Sequence, residues 1–296
     1  MITGIHHVTA IASDPKKNVA FYTQFLGLKL VKKTVNFDDP TTYHLYCGDS
    51  TGAPGSILTF FPWPHSFRGR TGAAQATVTA YAVPRDSLDH WIARAKEYNV
   101  PVSGPAERFG EEYITLRDPD NMAIELVASA APALGEDVTP RSLHSVTLTE
   151  WNLGPTADFI TSLLQFTPVA EHGNRTRYLT GGPGFLDIET VPDQRRGSSG
   201  AGIVHHIAFR TPNDETQKAW HEKIASSGHS ISPIMDRNYF HSIYFREPGG
   251  VLFEIATDPP GFAVDEPASQ LGQSLKLPVW YEERRAELEA SLPALV

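Results

Sequence analysis

The sequence predicts an α+β fold built from four βαβββ modules. Three observations carry this. A short apolar strand-like run recurs as "IHHVTA" (5–10), "LHSVTL" (143–148) and "VHHIAF" (204–209), with a weaker copy in "ATVTAYAV" (76–83). Each copy is followed, after a turn, by helical patterning and then by two or three further strand-like runs. The module ends also match: "LRDPDNMAIELVASA" (116–130) parallels "FREPGGVLFEIATDP" (245–259), which aligns Glu125 with Glu254.

The first module spans 4–62. "IHHVTA" is its first strand. In "DPKKNVAFYTQFLG", Asp14 is placed to cap a helix, Pro15 suits the first turn and Gly27 the end. "LKLVKKTV", "TYHLYCGD" and "GSILTFFP" supply three strands. The second module, 75–128, has "PRDSLDHWIARAKEYN" as its helix and ends on the Glu125 strand. The third, 142–192, carries "GPTADFITSLLQF", and the fourth, 203–257, carries "DETQKAWHEKIASSG". Connectors at 63–75, 129–141 and 193–202 are rich in Gly, Pro, Ala and Arg. The tail contains "LPVWYEERRAELEASLP", predicted to be an amphipathic helix docked on the body. Grouped along the chain, this gives domains at 1–135 and 142–257 and a C-terminal extension at 258–296.

Composition excludes several function classes. The chain is 41% hydrophobic and 20% charged, which is ordinary for a globular protein. A net charge of −9 argues against a nucleic-acid or anionic-membrane partner. The one cysteine, Cys47, allows no intrachain disulfide and fits a reducing compartment. It reads as a core or strand-end residue rather than a nucleophile. No apolar run approaches the roughly 20 residues of a membrane span, and no signal-peptide pattern opens the chain. The expected location is the cytoplasm.

The chemistry lies in the doubled histidines. Neighbouring strand residues point to opposite faces. In "VLFEIATD", Glu254 shares a face with Leu252 and Ala256, opposite the bulkier Val251, Phe253 and Ile255. His206 lies with Val204 and Ala208, and His7 with Ile5 and Thr9. A lone strand histidine is usually a satisfied core residue. Two pairs at equivalent repeat positions weigh against that, as does a glutamate in an apolar strand, which is costly to bury unless paired or metal-bound. Two imidazoles and one carboxylate form the facial set favoured by non-haem Fe(II) or Mn(II), with positions left for substrate and O2.

Pairing neighbouring modules does not assemble this set. Modules one and two offer His7 and Glu125 but no second histidine; modules three and four offer Ser145 where His7 would align. Pairing module one with module four brings together His7, His206 and Glu254. Modules two and three then form an empty cup, in which Glu125 is a relic or the partner of an Arg or His.

These blocks, with "DRNYFHSIYFREPGG" and the tail, carry a resemblance to the vicinal oxygen chelate superfamily across essentially the whole chain. Within it the chain resembles the hydroquinone ring-cleaving dioxygenases. The resemblance implies two open barrels of that type, Fe(II) as the metal (with Mn(II) as an alternative) and His7, His206 and Glu254 as its ligands. His6, Thr9, His205, Arg237 and Tyr244 match residues that contact substrate or support the site. The implied reaction is extradiol-type cleavage of a substituted hydroquinone by O2. In it, His6 or His205 moves a proton and Arg237 or Tyr244 stabilises negative charge. Strand parity turns His6 and His205 away from the metal, so only strand curvature or the open edge of the cup would bring them to substrate. Phe240 and Tyr239 are candidate cup-lining aromatics. Other readings stay open: a glyoxalase-like isomerase or lyase, an extradiol enzyme acting on catechol or gentisate, or a non-enzymatic protein that binds aromatics or quinones. Ring substituents and homo-oligomer formation are not fixed by sequence.

Overall fold

Each module closes as a strand, a helix and three strands, within a few residues of the expected limits. The computed structural model describes residues 1–64, 66–130 and 137–295. Module one comprises β1 (Ile5–Ala12), α1 (Pro15–Ala20) continued by a π-helical turn (Phe21–Phe25), β2 (Lys29–Asn36), β3 (Asp39–Gly48) and β4 (Ile57–Pro62). Module two comprises β5 (Gln75–Pro84), α2 (Leu88–Glu97), β6 (Val102–Arg108), β7 (Glu111–Arg117) and β8 (Ala123–Ala130). Module three comprises β9 (Ser142–Glu150), α3 (Leu153–Asp158) with a π turn (Phe159–Leu163), β10 (Thr167–His172), β11 (Arg175–Leu179) and β12 (Phe185–Thr190). Module four comprises β13 (Val204–Thr211), α4 (Asp214–Ser226), β14 (Met235–Asp236), β15 (Phe240–Arg246) and β16 (Leu252–Pro260).

Local chemistry sets the helix starts. The Asp14 carboxylate accepts from the Lys17 amide at 3.0 Å, with Pro15 in the first turn. Asn213 and Thr216 form a capping box on α4. The bulky strand faces pack as parity requires. Phe209, Phe253 and Ile255 join one apolar core with Trp220 and Ile224 of α4. Cys47 lies in that core, and burial pushes its thiol up to about 12, which leaves it unreactive.

The modules pair across the chain. One curled eight-stranded sheet runs β14-β15-β16-β13-β1-β4-β3-β2, and the other β10-β11-β12-β9-β5-β8-β7-β6. The first joins modules one and four through antiparallel β1 and β13; the second joins modules two and three through β5 and β9. Each sheet is an open half-barrel. The segments 1–135 and 142–257 therefore contribute one module apiece to each cup, the arrangement the ligand set demands.

The extension docks on the first barrel. Phe262 and Leu271 pack with Tyr46, Tyr239 and Phe240, while Leu277 and Leu288 pack on Val35. Lys32 of β2 is fully buried, with its ammonium 2.6 Å from Asp265, 2.5 Å from Glu266 and 3.0 Å from the Phe262 carbonyl. Gly272, at φ +75°, passes so close that a Cβ would sit 1.9 Å from the Leu30 carbonyl oxygen. The predicted tail helix is shorter than its pattern suggests: a 3₁₀ turn (Val279–Arg284) leads into α5 (Arg285–Ser291). Pro293 forces its predecessor Leu292 into an extended conformation and ends the helix. No helix among the described residues is long and apolar enough to cross a membrane.

Candidate metal centre

The doubled histidines sit at β-bulges. In the β1–β13 ladder, Ile5 faces Phe209 and His7 faces Ala208, so His6 is an extra residue. Further along, Thr9 faces His206 and Ala10 faces Val204, so His205 is extra on the other strand. A bulge breaks the strict alternation that would send adjacent side chains to opposite faces. His6 Nδ1 lies 2.8 Å from His7 Nδ1, and His205 Nδ1 lies 2.8 Å from His206 Nδ1. The first histidine of each pair therefore braces the second. Were Nε2 of His7 and His206 to ligate a metal, Nδ1 of each would carry the proton and donate to its neighbour, fixing tautomer and ring plane.

Those Nε2 atoms converge on Glu254. Its Oε2 lies 2.9 Å from His206 Nε2 and 3.5 Å from His7 Nε2. All three side chains are buried, and their donor atoms lie within 4.8 Å of one another. Metal bonds of about 2.1 Å at right angles put donor atoms about 3 Å apart, and the two distances from Glu254 Oε2 lie close to that spacing. Glu254 Oε2 is also a buried oxygen with no hydrogen-bond partner of good geometry, while Ser242 Oγ donates to the other oxygen and orients the group. Burial alone would raise the Glu254 pKa, but the two histidines overcome it and hold the carboxyl well below its usual range. Burial pushes the His206 pKa down, so the ring is neutral and able to ligate.

The pseudo-symmetry of the modules explains why the candidate donors number three. Glu254 pairs with Ala208, two residues beyond His206. The matching place in module one, opposite Thr9, is Thr59. Its hydroxyl bonds Thr9 at 2.9 Å and His44 at 2.8 Å. The second cup has the reverse inventory. Carboxylates stand at both such places, with Glu125 opposite Ala80 and Asp187 opposite Thr147. Val78 and Ser145 occupy the histidine places. Arginines occupy this cup: Arg108 forms a buried pair with Glu125, and Arg177 lies 2.8 Å from Asp187 and 2.7 Å from Glu111. His144, the bulge residue there, leans on Ser145 Oγ at 3.2 Å. Among the described residues, His7, His206 and Glu254 are the one grouping suited to a metal.

A cavity of about 280 Å³ opens on this centre. His205, Arg237, Tyr244 and Phe240 line it with His7 and His206. His6 and Thr9 do not line it; His6 stands behind His7, and Thr9 is tied to Thr59. Tyr239 also lies outside, its hydroxyl donating to Asp265 at 3.0 Å. Sequence reasoning did not single out Asp38, His44, Tyr46, Phe61 or Trp63, which complete the walls. His44 and Tyr46 share one face of β3, a period-two signal that was available. The Tyr46 hydroxyl lies 2.8 Å from His44 Nδ1, which makes a chain from Tyr46 through His44 and Thr59 to Thr9. His205, solvent-accessible at the cavity, is shifted down by partial desolvation, by His206 and by Arg246, and burial holds His44 well below its ordinary value. Burial pushes the Tyr244 phenol up, so it keeps its proton while Arg237 Nε donates to its oxygen at 3.3 Å.

Comparison with known proteins agrees with this architecture. A model of the "Glyoxalase/Bleomycin resistance protein/Dioxygenase superfamily" matches residues 4–126 and 142–255. The chain is 44% identical to the Bacillus subtilis protein named "Putative ring-cleaving dioxygenase MhqO", over 98% of this chain and 95% of that one. It is 32% identical to the "Chlorohydroquinone/hydroquinone 1,2-dioxygenase" of Sphingobium indicum, over 97% and 95%. A Bacillus subtilis crystal structure, described as a "putative dioxygenase", superposes with a TM-score of 0.95 at 43% identity, covering 100% of this chain and 98% of that one. Glyoxalase I from Zea mays shares the fold alone, with a TM-score of 0.65 at 16% identity over 86% of this chain and 92% of that one.

Proposed function

Because this chain belongs to the glyoxalase/bleomycin resistance protein/dioxygenase superfamily and is an enzyme of the dioxygenase kind, we propose that it cleaves the ring of a hydroquinone with O2, using Fe(II) held by His7, His206 and Glu254. The observation that carries this reading is the two-histidine, one-carboxylate set opening directly into an aromatic-walled cavity of about 280 Å³. That volume is at the small end for ligand sites and suits a single ring. Mn(II) would satisfy the same donors. A glyoxalase-like reaction is less well supported, because such sites usually carry a fourth protein ligand and Thr59 stands at its place.

A metal held by His7, His206 and Glu254 would supply Lewis-acid and redox chemistry toward a ring hydroxyl and O2. The protein does the rest. Phe240, Phe61 and Trp63 exclude water and hold the ring by its faces and edges. His205 is neutral near pH 7 and lines the cavity beside His206, positioned to take the hydroxyl proton. Tyr244 keeps its phenolic proton and offers it as a hydrogen bond to negative charge developing on oxygen. Arg237 fixes the Tyr244 oxygen and adds positive charge. His6 acts through His7 and Thr9 through Thr59, so their contribution is positional.

The test is reconstitution with Fe(II) in the absence of oxygen, then O2-uptake assays over hydroquinones, catechols and gentisates. Hydroquinone-dependent uptake is expected, falling by more than roughly hundredfold in Glu254→Ala. Full activity in that variant, or turnover of catechols alone, overturns the proposal.

A further inference from the structure

The cation at the mouth of the cavity already has a partner. Arg237 lines the cavity, and its guanidinium meets Asp38 as a fork: Nη2 lies 3.1 Å from Oδ2 and Nη1 lies 3.4 Å from Oδ1. Its remaining donor, Nε, is given to Tyr244. The two residues come from opposite ends of the sheet. Asp38 lies in the turn between β2 and β3, and Arg237 lies between β14 and β15. Since β2 and β14 are the outermost strands, the pair bridges the gap of the open half-barrel. The Arg237 side chain is 16% exposed and that of Asp38 is 66% exposed, so the carboxylate faces arriving ligands.

This arrangement separates neutral from carboxylated rings. An uncharged hydroquinone passes the rim without electrostatic cost. A ring bearing a carboxylate approaches the Asp38 carboxylate, and the guanidinium that would grip it bidentately is occupied. We propose that Asp38 is a specificity-determining residue: by occupying Arg237 and charging the rim, it selects uncharged hydroquinones against ring carboxylates of the gentisate type. This rests on the hydroquinone reading above and narrows it.

The test is calorimetric binding of hydroquinone and gentisate to the metal-loaded protein without oxygen, so that no turnover occurs. The wild type is expected to prefer hydroquinone by roughly tenfold or more. In Asp38→Asn the ratio of the two affinities should shrink by about tenfold, mainly through tighter gentisate binding, and added salt should weaken that gain. Asp38→Glu should keep the preference. A general structural fault would weaken both ligands together and leave the ratio in place. An unchanged ratio in Asp38→Asn, or a wild-type preference for gentisate, overturns the inference while the hydroquinone reading stands. A wild type that binds neither ring overturns both.

Discussion

At the scale of single residues, burial decides what each titratable group can do. Glu150, at the end of β9, shows this away from the cavity. It is buried, its Oε1 has no hydrogen-bond partner, and Glu247 lies nearby. Burial, then Glu247, push its pKa from 4.5 up to about 8, against a pull from Arg196. A carboxyl raised in the folded state keeps its proton where the unfolded chain has lost it. It therefore costs stability progressively as pH rises from about 4.5 to about 8. Glu150→Gln should match the wild type near pH 5 and exceed it by roughly 1–3 kcal/mol at pH 8 in urea unfolding. Equal gaps at the two pH values would show that Glu150 is not held protonated. The candidate metal-binding group is the opposite case. That His7, His206 and Glu254 come together was legible in the sequence because burying a carboxylate without a partner is too costly to be casual. Asp38, His44 and Thr59 were not, because their partners Arg237, Tyr46 and Thr9 reach them through hydrogen bonds that carry no local pattern.

At the scale of elements, periodicity and cap chemistry marked the modules well, and the bulges did not announce themselves. A one-residue bulge depends on how β1 meets β13, nearly 200 positions away, so "HH" alone cannot reveal that its two rings meet. The tail misled in a local way: its helical pattern runs past what Pro278 and Pro293 allow. What holds the extension is instead a buried ion cluster. Removing Lys32 while leaving Asp265 and Glu266 strands two carboxylates, and such losses typically cost about 3–5 kcal/mol. Lys32→Met should therefore lower the melting temperature and make the segment after Pro260 more sensitive to protease. Because Phe262 packs on Tyr46 at 5.0 Å, ligand binding in the cavity should weaken too. Unchanged proteolysis would assign the docking to Phe262 and Leu271 instead.

At the scale of the whole molecule, one repeated cup pattern has two outcomes. The first cup keeps both histidines and one carboxylate; the second keeps both carboxylates and neutralises them with Arg108 and Arg177. The metal content should therefore be one equivalent per chain by elemental analysis. His206→Ala should reduce it toward zero, and Glu125→Ala should leave it at one. Two equivalents in the wild type would contradict the ion-paired second cup. Restoring a histidine at Ser145 should add no metal while both arginines remain, since their guanidinium groups hold the carboxylates.

The cross-chain pairing also sets a clock. Modules two and three are contiguous, so the second sheet can close as soon as residue 190 is available. Module one has no such neighbour: β1 needs β13, and His7 meets Glu254 almost a full chain length later. At about 5–20 residues per second of synthesis, His7 waits roughly ten to fifty seconds on the ribosome before its ligand partners exist. During that interval the nascent chain holds an incomplete donor set and a β1 strand that has β4 on one edge and no partner on the other. On the proposed reading, metal capture would be confined to the last moments of synthesis or to the finished protein.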